Sequence, residues 1–106
     1  MTGEEGKALP AQDMTILAET FRLLGDPTRL KILFSCMARS QSVGDIAGGL
    51  GLSQSLVSHH LRLLRGARLV RGERRARQVF YAPADSHDSG MLRDMASHIA
   101  EDHDED

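Results

Sequence analysis

Residues 42–66, SVGDIAGGLGLSQSLVSHHLRLLRG, hold two short helical periods on either side of a glycine, each opened by a serine. Ser42-Val43-Gly44-Asp45 has capping-box spacing, with Asp in place of the usual Glu. A helix from there to Leu50 stops at Gly51, and Ser53 caps a second that runs to about Arg65. Two short helices joined by a tight, glycine-containing turn make a helix-turn-helix, a unit found in DNA-binding proteins and in others that never touch DNA.

The second of these helices can be tested by projection at about 100° per residue. With Val57 at zero, Leu61, Leu64, His60, Leu56 and Leu63 fall within an arc from about +40° to −120°. Gln54, Arg65, Ser58, Arg62, Ser55 and His59 fill the arc from about 60° to 200°. One face packs on the domain, with His60 as a buried structural histidine. The other offers amides, hydroxyls, an outward imidazole and two guanidiniums. Gln pairs bidentately with adenine, Arg with guanine, and Ser with bases or phosphates. Most Ser and Arg contacts in such interfaces fix register on phosphate. The plain alternative is the polar solvent face that every surface helix has.

Around this core the chain reads as one mainly α domain with a small β-hairpin, over residues 11–101, between a loose tail at 1–10 and an acidic tail at 102–106. A first helix spans about Ala11 to Leu24, with Met14, Leu17, Phe21 and Leu24 on one stripe, and Gly25 stops it. Asp26 and Pro27 suit the cap and first position of a second helix. Leu30, Leu33 and Met37 carry its buried face, with Ile32 and Phe34 flanking. Leu69–Glu73 and Gln78–Ala82 read as strands around the loop Arg74-Arg75-Ala76-Arg77, closed by Pro83. A last helix runs from about Ser86 to Glu101, with Met91, Leu92, Met95 and Ile99 on its apolar face. Hairpin plus helix-turn-helix is a winged helix.

Charge supports a polyanion partner for the middle of the chain. The overall −2 conceals −3 over residues 1–26, +8 over 27–82 and −7 from 83 onward. Seven arginines stand in the sixteen positions from Arg62 to Arg77. Such a concentration favours nucleic acid over a merely solvated face. Arg74, Arg75 and Arg77 have the charge and reach to hold a phosphate or enter a minor groove. No apolar run is long enough to span a membrane and no signal peptide is visible, so the expected location is the cytoplasm. Cys36 is the only cysteine, which leaves no intrachain disulfide and no cysteine-based zinc cage.

The stretches LGDPTRLKIL, VGDIAGGLGLSQSLVSHHLRLLRGARLV and RQVFYAP resemble the ArsR/SmtB family of bacterial winged-helix repressors, over about residues 14–101. The resemblance implies a homodimer built through the first and last helices, which occupies an operator and lets go when a metal ion binds; a dimer that places two such helices in successive major grooves calls for an inverted-repeat operator. The polar face of the second helix and the charge of the hairpin loop give the expected DNA contacts: Ser53, Gln54, Ser55, Ser58, His59, Arg62 and Arg65 on that helix, and Arg74, Arg75 and Arg77 on the wing. One class of the family binds metal through cysteines on the helix-turn-helix; Ser42-Val43-Gly44-Asp45 has none, so that site is absent. Another class uses the last helix, with Asp-x-His, ten residues, then His-x-x-Glu or His-x-x-His. Asp85-Ser86-His87 and His98-Ile99-Ala100-Glu101 match the Glu version at every position. The family commonly has Gly in the hairpin loop where this chain has Ala76, so the loop is expected to differ in shape if that position needs a positive φ. The family also implies a bond from a metal-bound histidine to a carbonyl near the helix–wing junction; here the pair is His98 and Arg68.

On one helix His87 and His98 lie roughly 16 Å apart, whereas zinc holds nitrogen ligands at about 2.0–2.1 Å. Both, with Glu101, nevertheless share one stripe. Two antiparallel copies across a twofold place His87 of one beside His98 of the other. Asp85 and His87 then meet His98 and Glu101 of the second chain, four N/O ligands suited to tetrahedral Zn(II), twice per dimer. His103, with Asp102 and Asp104, could enlarge the shell, and a five- or six-coordinate site favours Ni(II) or Co(II). The alternatives are that Asp85 simply caps the last helix, with Asp88 as capping partner, and that His98 and Glu101 are an ordinary exposed pair.

Two rival functions remain open at this point. A winged-helix repressor indifferent to metal would have only Cys36 as a redox sensor, and a lone thiol without a resolving partner is a weak switch. A metal hydrolase would need a pocket and an open coordination position, for which a chain spent on DNA-binding elements has little room, so no enzyme is expected.

Overall fold

The computed structural model describes residues 9–104, as five helices and a three-stranded sheet in the order α1 (Ala11–Leu24), α2 (Pro27–Ala38), β1 (Gln41–Ser42), α3 (Val43–Leu50), α4 (Gln54–Gly66), β2 (Val70–Arg75), β3 (Gln78–Pro83) and α5 (Ser86–Asp104). This is a winged helix-turn-helix. The helix boundaries follow local chemistry. The Asp26 carboxylate accepts from the Arg29 amide at 2.9 Å, with Pro27 in the first turn. Ser42 and Asp45 form the reciprocal capping box, at 3.1 and 3.3 Å. Gly51 takes the left-handed conformation that ends α3 (φ 68°), and Ser53 Oγ accepts from the Leu56 amide at 3.1 Å. Gly25 also ends its helix, but at φ −78°, a conformation open to any residue.

The core lies where α2, α3 and α4 meet the base of the wing. Ile32, Leu33, Cys36 and Met37 pack with Ile46, Ala47, Val57, Leu61, Leu64, Leu69, Val70 and Leu92. Ile32, expected at the edge of the buried face, is completely enclosed, while Leu30 is only half-buried and Phe34 is exposed. On α4, Leu56 is exposed although it falls within the apolar arc.

Three features of the sheet and the last helix differ from expectation. First, the hairpin has a third strand beside it. The order is β1-β3-β2, all antiparallel, with Gln41 opposite Tyr81 and Ser42 opposite Phe80. Ser42 thus ends a strand and caps a helix at once. Secondly, the strands extend further into the wing: Arg74 and Arg75 pair with Val79 and Gln78, leaving only Ala76 and Arg77 as the turn. Ala76 has φ 56°, at the first central position of a two-residue loop, the place glycine takes in type II′ turns. The loop therefore keeps the demanding backbone and an alanine bears it. Thirdly, α5 continues through Asp102 to Asp104, so the expected boundary between domain and acidic tail at residue 101 falls inside a helix.

Gly72 serves the wing by lacking a side chain. A Cβ there would sit 2.9 Å from Val79 Cγ1 and 3.3 Å from Tyr81 Cε1, inside normal contact. Among the described residues no helix is long and apolar enough to cross a membrane.

Candidate nucleic-acid interface and metal centre

The inward and outward faces of α4 separate as its sequence requires. Val57, His60, Leu61 and Leu64 are buried. Gln54, Ser55, His59, Arg62 and Arg65 are exposed, and Ser58 is half-exposed. Ser53 is exposed too, although its hydroxyl is engaged in the cap. His60 retains 6% exposure and its Nδ1 accepts from Arg29 Nε at 3.2 Å. Burial holds its pKa below the ordinary value, and the nearby Arg29 charge adds to the effect.

The wing arginines are not equivalent. Cross-strand register puts Val70, Gly72 and Arg74 on the face of Val79 and Tyr81, and Arg71, Glu73 and Arg75 on the face of Phe80. Tyr81 lines a notch of about 190 Å³ together with Ser58, Leu61, Arg62 and Arg65. Arg74 therefore stands on the side of the sheet that meets α4. Arg75 is committed elsewhere: its Nε donates to Glu73 at 2.9 Å and its guanidinium carbon lies 5.1 Å from the Phe80 ring centre. Arg77 is exposed in the turn. Tyr81 escaped the sequence reading because a single aromatic in a strand carries no signal of which element it faces. Only its register with Gly72 reveals the space made for it.

The metal-ligating types on α5 fall into two groups at opposite ends of the helix. At the start, Asp85 Oδ1 accepts from the His87 amide at 2.6 Å and lies 3.1 Å from His87 Nδ1. Asp85 is thus a genuine helix cap, and the bond from the His87 amide, with a lesser one from its ring, holds the carboxylate below its usual pKa. At the far end, His98 Nε2 lies 3.6 Å from Asp102 Oδ2, one turn along. Asp102 rather than Glu101 is the carboxylate nearest His98 in the free chain. The side chains of His87 and His98 are 94% and 76% exposed. Within one chain, among the described residues, no three His, Cys, Asp or Glu side chains converge, and His98 makes no hydrogen bond to the Arg68 carbonyl. His103 belongs to the last turn of α5, and its side chain lies outside the described residues. The donor chemistry fits a borderline divalent ion: an ionised carboxylate and two accessible imidazoles. Cys36 offers nothing to such an ion, because it is fully buried and burial pushes its thiol up to about 11.

Both terminal helices leave apolar side chains uncovered. Met14, Leu17 and Phe21 on α1, and Met91, Met95 and Ile99 on α5, are all exposed, Phe21 to 51%. Of α5's apolar face only Leu92 is buried by its own chain. Apolar stripes of this kind mark a surface made for another protein surface.

Comparison with known proteins agrees with this architecture. Residues 26–71 match the profile of bacterial regulatory proteins of the arsR family. A transcriptional repressor SmtB homolog of Synechocystis is 40% identical over 80% of this chain, which spans 64% of that relative's length. The cadmium metal-sensor CMTR from Mycobacterium tuberculosis is 44% identical, with a TM-score of 0.65 over 73% of this chain and 80% of that one. The homodimeric winged helix-turn-helix DNA-binding domain Mb0332 from Mycobacterium bovis, a possible ArsR-family regulator, superposes with a TM-score of 0.76. It is 25% identical, over 88% of this chain and 85% of that one.

Proposed function

This chain belongs to the ArsR family of bacterial regulatory proteins, and from that membership we propose a dimeric repressor that holds an inverted-repeat operator in its metal-free form and releases it on binding Zn(II), or alternatively Ni(II) or Co(II). The family is one of transcription regulators rather than enzymes. The observation that carries the reading is the placing of two exposed imidazoles at opposite ends of a helix whose apolar face is largely uncovered, His87 against Asp85 and His98 beside Asp102; Glu101, three residues after His98, is assigned as its partner ligand by the sequence spacing.

Two α5 helices packed antiparallel across a twofold would cover Met91, Met95 and Ile99 and bring the halves together. The twofold then generates two equivalent sites. When bound, the ion supplies a bond between subunits that neither chain can make alone. Gln54, Ser55, Ser58, His59, Arg62 and Arg65 enter successive major grooves, with Ser53 at the helix start, and Arg74 and Arg77 flank them from the wing. Arg75, tied to Glu73, contributes least. Clamping α5 to α5 narrows the orientations open to the two reading helices, and affinity falls if the clamped spacing misfits the grooves. By reciprocity the operator weakens metal binding by the same factor, commonly about 1–3 kcal/mol in such linkages.

The test is operator affinity measured with Zn(II), Ni(II) and Co(II) at buffered free-ion concentrations, alongside the mass of the species in solution. A dimer whose affinity falls with one of these ions supports the reading. A monomer that still binds metal tightly, or a dimer whose operator affinity ignores all three ions, ends it.

A further inference from the structure

α2 ends without a glycine cap. Arg39 follows it in extended backbone (φ −170°), and no basic residue of its own lies in the last turn. Two of its last four carbonyls, the positions that lack a partner within a helix, are met from two other elements. The Ser35 carbonyl accepts from Gln41 Nε2 of β1 at 2.6 Å. The Met37 carbonyl accepts from a terminal nitrogen of Arg93 at 3.0 Å, across 56 positions of sequence. Arg93 is the one cation after Pro83, among eight acids. It follows Leu92, the only large apolar side chain that α5 buries on its own chain, and lies six residues after His87 and five before His98. A charge-assisted bond to a helix C-terminus is a strong and directional link. On the other side of that same helix end, Gln41 leads into Ser42, which caps α3, the first helix of the helix-turn-helix.

We propose that Arg93 is the positioning residue through which α5 governs the orientation of the helix-turn-helix: its guanidinium, on the Met37 carbonyl, fastens the helix bearing both half-sites to the end of α2, where β1 and the cap of α3 are also fastened. This rests on the metal-responsive reading of α5. Arg93 touches neither metal nor DNA. Without it α5 keeps its ligands and its Leu92 anchor, but rotation imposed on α5 no longer reaches Ser42 and α3.

The test compares the full-length protein with Arg93→Met, Arg93→Gln and Arg93→Lys. Arg93 is exposed, so both neutral variants are expected to fold. Each is assayed for Zn(II), Ni(II) and Co(II) affinity, for operator affinity with and without ion, and for backbone amide exchange. In Met and Gln, metal affinity without DNA stays within about twofold, while the metal-induced drop in operator affinity shrinks by about tenfold; Lys retains most of it. In wild type the ion slows exchange at the end of α2 and in Gln41–Ser42; in Met and Gln the slowing is confined to α5. A responsive wild type with equally responsive neutral variants and unchanged exchange overturns this inference alone. A wild type that ignores all three ions overturns the metal-responsive reading and this inference with it.

Discussion

Arg29 Nε donates to His60 Nδ1 at 3.2 Å while another nitrogen of the same guanidinium donates to the Leu23 carbonyl at 2.9 Å. One side chain near the start of α2 thus holds the end of α1 and the inner face of α4. Nδ1 can accept only when the imidazole is neutral and its proton sits on Nε2. Burial, then the Arg29 charge, depress the folded pKa; Asp26 opposes them and His59 adds slightly.

That depression has a definite sign. Below the ordinary histidine value of 6.5 the unfolded chain binds a proton that the folded chain resists. Stability from this group is therefore full above 6.5, falls as the solution is acidified, and levels off below the folded value. Glutamine can accept from Arg29 without titrating. In urea denaturation, wild type should lose more stability than His60→Gln between neutral pH and pH 5. Parallel losses in the two proteins would refute the assignment.

Ala76 holds φ 56° where a side chain is disfavoured. Left-handed backbone costs a residue with a Cβ about 1–2 kcal/mol, and the freedom glycine regains on unfolding offsets about 0.5–1 kcal/mol of that. Ala76→Gly should accordingly stabilise the protein by about 0.5–1 kcal/mol in chemical denaturation. A destabilised variant would show that the turn is not held as described.

Arg62 and Arg75 should part company in DNA binding. Arg62 lines the open notch with Ser58, Arg65 and Tyr81, whereas Arg75 is paired with Glu73 over Phe80. Arg62→Ala should weaken operator binding and reduce the salt slope by about one if it meets a phosphate. Arg75→Ala should leave both nearly unchanged. Equal effects from the two substitutions would show that Glu73 and Phe80 do not withhold Arg75 from DNA.

Much of this architecture was legible in the sequence because it rests on local chemistry. The caps at Asp26, Ser42 and Ser53, the stop at Gly51 and the two faces of α4 all follow from residues within a turn of one another. What escaped has one common cause: it depends on partners distant in sequence. β1 is two residues long and shows no period of its own, and exists only because Gln41 and Ser42 meet β3. The pairing of Arg75 with Glu73 and the placing of Tyr81 beside Arg62 need the strand register. Periodicity marked Met14, Phe21, Met95 and Ile99 as apolar, but it does not say whether their own chain or a second one covers them. For the same reason the spacing of Asp85, His87, His98 and Glu101 is legible, while their assembly is a property of two chains.

The half-sites allow a sharp test. His87→Ala and His98→Ala each remove one exposed imidazole from opposite ends of α5. Each should abolish metal-induced release and leave operator affinity without metal within about twofold, since neither touches the reading face. Mixing the two variants should restore one complete pair of imidazoles per heterodimer, made of His98 from the first and His87 from the second. Recovery of metal binding on mixing is expected; none on mixing would place the two histidines in separate sites.

The lone thiol, enclosed by α2, α3 and α4 and far above its reactive range, gives the molecule an internal clock. An alkylating reagent can reach Cys36 only in moments when the interior is open, so its labelling rate counts those moments directly. Ligand, ion or operator that steadies the fold should slow that count, with no dye or tag attached to the protein.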